Sequence, residues 1–159
     1  MFTGIDRLMS RMFAKDGKSL TLAFDHGIDG YHTEGMATPE KTLREAIAAG
    51  ADAILTSTAQ MLAFGDILKN VGIAGNMDWF YGDPTPLVKQ AMNLGVDMGK
   101  IIAFTGPEGI PDSIRKAQHL SAICRDYGLP LMVEPIHGSF DNKAQHTPEN
   151  IAMAARMAC

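Results

Sequence analysis

Apolar residues along this chain recur in two spacings, and the alternation of the two predicts the fold. Ile5, Leu8, Met9, Met12 and Phe13 fall at helical spacing, so the chain is expected to open on a helix. Lys15-Asp16-Gly17-Lys18 reads as a turn. Leu20, Leu22, Ala23 and Phe24 then make a short apolar run, cut off by Asp25-His26-Gly27. This predicts a buried strand over Leu20 to Asp25 that carries an acid and an imidazole to its carboxyl end. The pattern then repeats. Thr38-Pro39-Glu40 opens a helix, with Thr38 as its cap, and Gly50 stops it. Further strands are predicted at Ala51 to Thr56, Ile73 to Met77, Lys100 to Thr105 and Leu129 to Glu134. Helices are predicted at Ala59 to Asn70, Leu87 to Leu94, Pro111 to Tyr127 and from Thr147 to the end of the chain.

The strands are short and apolar throughout rather than alternating, as in parallel strands covered on both faces. Gly-Ala-Asp at 50–52 and Gly-Val-Asp at 95–97 recur between a helix and the next strand, which reads as a structural echo of one βα unit. Residues 1–159 are expected to form a single α/β domain. Two closures fit the pattern. One is a self-contained flavodoxin-like sheet acting as a binding module. The other is the first five units of a (β/α)8 barrel, a fold that typically takes about 250 residues.

Composition narrows the function. The chain has 159 residues, 46% hydrophobic and 20% charged, with a formal net charge of −4 and no Lys/Arg block. Nucleic acid and anionic membranes are therefore not expected partners. Cys124 and Cys159 form no CxxC and no metal-type spacing, as expected of reduced thiols in a cytoplasmic protein. No run approaches the roughly 18 apolar residues of a membrane span. The opening helix is expected to pack under the domain.

Chemistry in parallel α/β folds gathers at the carboxyl ends of strands. Asp25 ends the first strand and suits proton transfer to and from a hydroxyl, although such a carboxylate also caps loop backbone. His26 suits proton transfer or oxyanion binding. If Asp25 faces inward, alternation turns His26 outward or places it in the loop. Glu134 ends the fifth strand, with His137 three positions on. Both are candidates for substrate contacts, and a buried acid paired with a neighbouring strand is the alternative for Glu134. Thr56, Ser57 and Thr105 end strands two and four, where they either line the same mouth or cap the next helix. A mixed metal site from His26, His32, Glu34, Glu134 and His137 is the less favoured reading, and no metal is expected. The glycines after strand one make neither GxGxxG nor a P-loop, so no cofactor is expected.

Arg7 to Gly30, RLMSRMFAKDGKSLTLAFDHGIDG, resembles the opening of the class I (Schiff-base) aldolases. The group is that of the archaeal-type fructose-bisphosphate aldolases, the aminodideoxyheptulosonate synthases and the autoinducer-2 aldolase/thiolase-like enzymes. Gly50 to Thr56, GADAILT, and Gly128 to Gly138, GLPLMVEPIHG, continue the resemblance. It implies a (β/α)8 barrel, here incomplete, with five β/α units and an N-terminal helix. It also implies reversible aldol cleavage of a phosphorylated keto sugar through a lysine imine, with Asp25 as acid/base. The family's imine lysine lies on a sixth strand, and Thr147 to Cys159 resembles the helix leading into it. Many members carry a tyrosine near the end of strand five, where this chain has Pro135-Ile136-His137. Among the lysines here, Lys100 stands at the very start of its predicted strand and so falls at the wrong end of the sheet. Lys41, Lys69, Lys89 and Lys116 lie in or beside helices, and Lys143 sits in a polar loop. The chain is thus expected to hold no imine lysine and to be inactive or nearly so alone. Its open sheet edges are expected to favour self-association as a homo-oligomer, or completion by a partner.

Overall fold

The structure, a computed structural model, describes residues 3–29, 34–79, 82–106 and 112–158. The chain runs α1 (Gly4–Met12), β1 (Thr21–Ala23), α2 (Pro39–Ala48), β2 (Ala53–Thr56), α3 (Thr58–Leu68), β3 (Gly72–Asn76), α4 (Thr85–Asn93), β4 (Met98–Thr105), α5 (Ser113–Asp126), β5 (Leu131–His137) and α6 (Pro148–Ala158). Single 3-10 turns lie at His26–Asp29, Glu34–Ala37 and Lys143–Gln145.

The strands form one parallel sheet in the order β1-β2-β3-β4-β5. Sequential order excludes the flavodoxin-like alternative, whose strand order reverses about its first strand. Side-chain alternation explains the layers. One face presents Leu22, Phe24, Ile54, Ile73, Met77, Ile101, Ala103 and Val133. These pack in one core against Leu43 of α2, Met61 and Leu68 of α3, Val88 of α4, and Ala117, Leu120 and Cys124 of α5. The other face presents Ala53, Leu55, Ala74 and Met98, closed at its amino-terminal end by Met12 of α1. The helices α2 to α5 that follow the strands cover one face only, which is the arrangement of a barrel wall, and the five units are an open portion of a (β/α)8 barrel.

Local chemistry accounts for the ends of the elements. Thr3 and Asp6 form a capping box on α1, and Ser57 and Gln60 form another on α3. Thr38 occupies the cap position of α2 with Pro39 behind it, but its side chain makes no capping bond. Gly72 admits α1 against β3, since a Cβ there would lie 2.5 Å from the Arg11 carbonyl oxygen. The echoed Asp residues tie strand heads together. Asp52 accepts from the Leu20 N–H at 2.8 Å, and Asp97 accepts from the Ile73 N–H at 3.0 Å. Asp97, almost fully buried, also meets the half-exposed Arg11 guanidinium at 3.0 Å. α1 is thereby pinned under the sheet, as its amphipathic pattern predicts.

Candidate active site

β4 begins two residues earlier than its apolar run predicts, and this relocates Lys100. The strand starts at Met98, directly after Asp97, as β2 starts at Ala53 directly after Asp52. Lys100 is therefore the third residue of β4, paired with Asn76 of β3 and Met132 of β5. Alternation puts it on the inner face with Met98 and Ile102. The expectation that it lies at the wrong end of the sheet is overturned. Its ammonium is almost fully buried and faces three carboxylates: Glu134 at 2.9 Å, Asp25 at 3.8 Å and Asp78 at 3.9 Å.

Asp25 is buried two residues past β1, whose ladder stops at Ala23 instead of running to Asp25, and it points to this inner face. Its Oδ2 accepts a 2.6 Å hydrogen bond from Asn76 Nδ2, at the end of β3. Asn76 Oδ1 in turn accepts from the Asp78 backbone N–H at 2.9 Å. Asp78 Oδ1 accepts from the Ile102 N–H at 2.8 Å, which ties the loop after β3 to β4. Glu134, opposite Ile102 on β5, is half-exposed and turns its other side to solvent. A cavity of about 340 Å³ opens over the group, bounded by Asp25, His26, Lys100, Ile102, Glu134 and Phe140. His26 lies just past β1 in the 3-10 turn, exposed at the edge of that cavity.

The other predicted contacts face elsewhere. Thr56 is fully buried on the helix-covered face with Ile54, and its hydroxyl donates to Gln60 Oε1 at 2.5 Å. Ser57 caps α3. Ser57 thus follows the helix-capping reading, while Thr56 holds the Gln60 side chain of that capping box. Thr105 and His137 also occupy the helix side of β4 and β5, where Thr105 Oγ1 and His137 Nδ1 share a hydrogen bond at 3.3 Å. Gly106, with φ +86°, leaves room for the His137 ring, which a Cβ would meet at 2.6 Å. β5 continues through Glu134 and Pro135 to His137 instead of stopping at Glu134, so alternation separates these two residues onto opposite faces. The structure thus joins Asp25 and Glu134 through Lys100, sets His26 at the rim, and holds Thr56, Thr105 and His137 away from the group.

Lys100, Asn76 and Asp78 are the members that the sequence reading missed. A usable signal was present for Lys100. The Gly-x-Asp echo marks where a strand begins, and applying it to 95–97 starts β4 at Met98. Asn76 and Asp78 carry no such mark. Among the described residues no group of three or more His, Cys, Asp or Glu is disposed to hold a metal ion, and His32 lies outside them. Lys143 is exposed on its 3-10 turn.

Buried amines and carboxylates clustered on the inner wall of a parallel barrel suit proton transfer and stabilisation of developing charge. Residues 19–159 match the model of the DeoC/LacD family aldolases. The class 1 fructose-bisphosphate aldolase of Thermoproteus tenax is 30% identical over 93% of this chain and 60% of its own length. The 2-amino-3,7-dideoxy-D-threo-hept-6-ulosonate synthase of Halobacterium salinarum is 27% identical over 90% of this chain and 57% of its own. An archaeal fructose-1,6-bisphosphate aldolase, solved with its catalytic Lys bound to the carbinolamine intermediate of the substrate, superposes with a TM-score of 0.69 at 27% identity. That match covers 98% of this chain and 66% of the solved one. The chain therefore spans about 60% of the length of these curated relatives. On the family match over residues 19–159, the chain belongs to the DeoC/LacD aldolase family.

Proposed function

We propose that this chain supplies the acid/base wall of a class I aldolase site acting on a phosphorylated keto sugar, while the imine-forming lysine is not among its residues. The observation that carries the reading is the inward convergence of Asp25 and Glu134 on the buried Lys100 ammonium. Aldol cleavage through an imine needs a group that takes the proton from a substrate hydroxyl as the carbon–carbon bond breaks and returns it in the reverse direction. Asp25 is that group in this reading. Lys100 steadies the Asp25 carboxylate before it takes the proton and after it returns it, and His26 and Glu134 meet the substrate at the rim. An ammonium held by three carboxylates has no free lone pair with which to attack a carbonyl, so Lys100 serves as a charge and not as the nucleophile.

Borohydride trapping with dihydroxyacetone phosphate, followed by peptide mass spectrometry, tests the absence of an imine lysine. No adduct is expected on this chain, and a stable adduct on any lysine here, Lys100 above all, overturns the assignment. A fusion that appends the remaining units of the Thermoproteus tenax relative tests the role of Asp25. Such a fusion is expected to cleave fructose 1,6-bisphosphate, and Asp25→Asn to lower turnover by about 100-fold or more. Undiminished turnover removes Asp25 from the mechanism.

Among the described residues β1 and β5 each pair on one side only. In our reading the isolated chain self-associates through these edges, and a concentration-independent monomer in size-exclusion chromatography contradicts that.

A further inference from the structure

The Asp25 carboxylate has two oxygens, and the structure treats them differently. Oδ2 receives the Asn76 amide at 2.6 Å and lies 3.8 Å from the Lys100 ammonium. Oδ1 has no hydrogen-bond partner among the described residues. Asn76 is itself held at both ends of its amide, because Oδ1 accepts from the Asp78 N–H while Nδ2 donates to Asp25. Its side chain is almost fully buried and has no freedom to flip without losing both bonds. An amide is the side chain of this shape that meets both demands. It offers a donor toward a carboxylate and an acceptor toward a backbone N–H, and it adds no charge. A carboxylate in its place would set a fourth acid into a group that already holds three around one ammonium.

We propose that Asn76 is a positioning residue that selects which oxygen of Asp25 exchanges protons with the substrate. It occupies Oδ2 and fixes the carboxylate plane, so that Oδ1 is the oxygen presented to the substrate hydroxyl. The inference rests on the proposed aldolase reading for its purpose. Its geometry is testable without any substrate, so the two fail separately.

The experiment follows the Asp25 carboxyl carbon by carbon-13 NMR across pH in the full chain, in the wild type and in two variants. Asn76→Asp keeps shape and the acceptor for the Asp78 N–H, but replaces the donor with an acid. It is expected to add to the wild-type Asp25 curve a further coupled step, displaced by at least about one pH unit. Asn76→Ala removes the donor and adds no acid, and it is expected to move the Asp25 carboxyl signal without adding a titration step. If Asn76 serves only the turn at Asp78, Asn76→Asp leaves the Asp25 curve as it is in the wild type, and that result overturns the proposal. Should Asn76→Asp fail to fold, the wild type still decides. One side-chain amide proton of Asn76 is expected to track the Asp25 titration and to lose that dependence in Asp25→Asn. An Asn76 amide proton that ignores Asp25 contradicts the assignment.

Discussion

Two buried carboxylate–cation groups lie on this sheet, and they differ in balance. At the amino-terminal end, Asp97 meets one guanidinium, from Arg11, and one backbone N–H, from Ile73. Charge is matched, and each contact joins elements that must stay together: α1, β3 and the head of β4. Halfway up the inner face, the Lys100 ammonium meets three carboxylates from β1, the loop after β3, and β5. Among the described residues this group sets three carboxylates against one ammonium. A scaffold ion pair gains from neutrality, because each uncompensated buried charge costs several kcal/mol. An unbalanced group on a cavity wall fits a place where charge and protons move during a reaction. The contrast marks the first group as structure and the second as the candidate site.

The largest test of this contrast is Lys100→Met. It removes the ammonium that Asp25, Asp78 and Glu134 share and is expected to cost about 3–5 kcal/mol in urea unfolding. Arg11→Met is expected to cost only about 1 kcal/mol, because that guanidinium is half in solvent. Equal losses would erase the distinction. Gly72→Ala follows, at about 1–3 kcal/mol, since the new Cβ would press on the rigid backbone of α1. Gly99→Ala is expected to cost less, because its Cβ would meet the Met77 side chain, which can move.

The pH dependence of the balanced group is a smaller effect with a definite sign. Burial raises Asp97 above the ordinary value of 3.8, against the lowering pull of the Ile73 N–H and Arg11. The folded chain thus holds this proton more tightly than the unfolded chain does. The contribution of Asp97 to stability is full below 3.8 and declines as pH rises through the raised folded value. Asp97→Asn is expected to flatten that part of the profile, measured as urea midpoints between about pH 4 and 7. The smallest effect concerns Cys124, whose thiol burial pushes up to about 11. In the native chain iodoacetamide at about pH 8 is expected to leave Cys124 unmodified, and denaturant to expose it, as peptide mass spectrometry would show.

Most of the elements were legible from local pattern. The apolar runs, the Gly stops and the Pro-initiated helices depend on near neighbours in the chain, so strand and helix identities followed from spacing. The ends were less legible. Thr38 stands where a cap belongs but makes no capping bond. β5 runs on through Pro135, which ladder chemistry disfavours inside a sheet but tolerates on an edge strand such as this one. Asp25 and Glu134 were visible as acids at strand ends, where a parallel fold collects its chemistry. Thr105 and His137 satisfied the same rule and lie on the other face.

By itself, the sequence determined that five βα units follow one another, and that the first and fifth strands deliver acids. Those properties are carried by contiguous residues. Only the tertiary structure decided which face each side chain meets, because a shift of one or two residues in a strand's start moves its side chains to another face or height. Lys100 became a buried partner of Asp25 and Glu134 because β4 begins at Met98. Asn76 reached Asp25 because the first and third strands, 51 residues apart at these positions, curve toward the same interior.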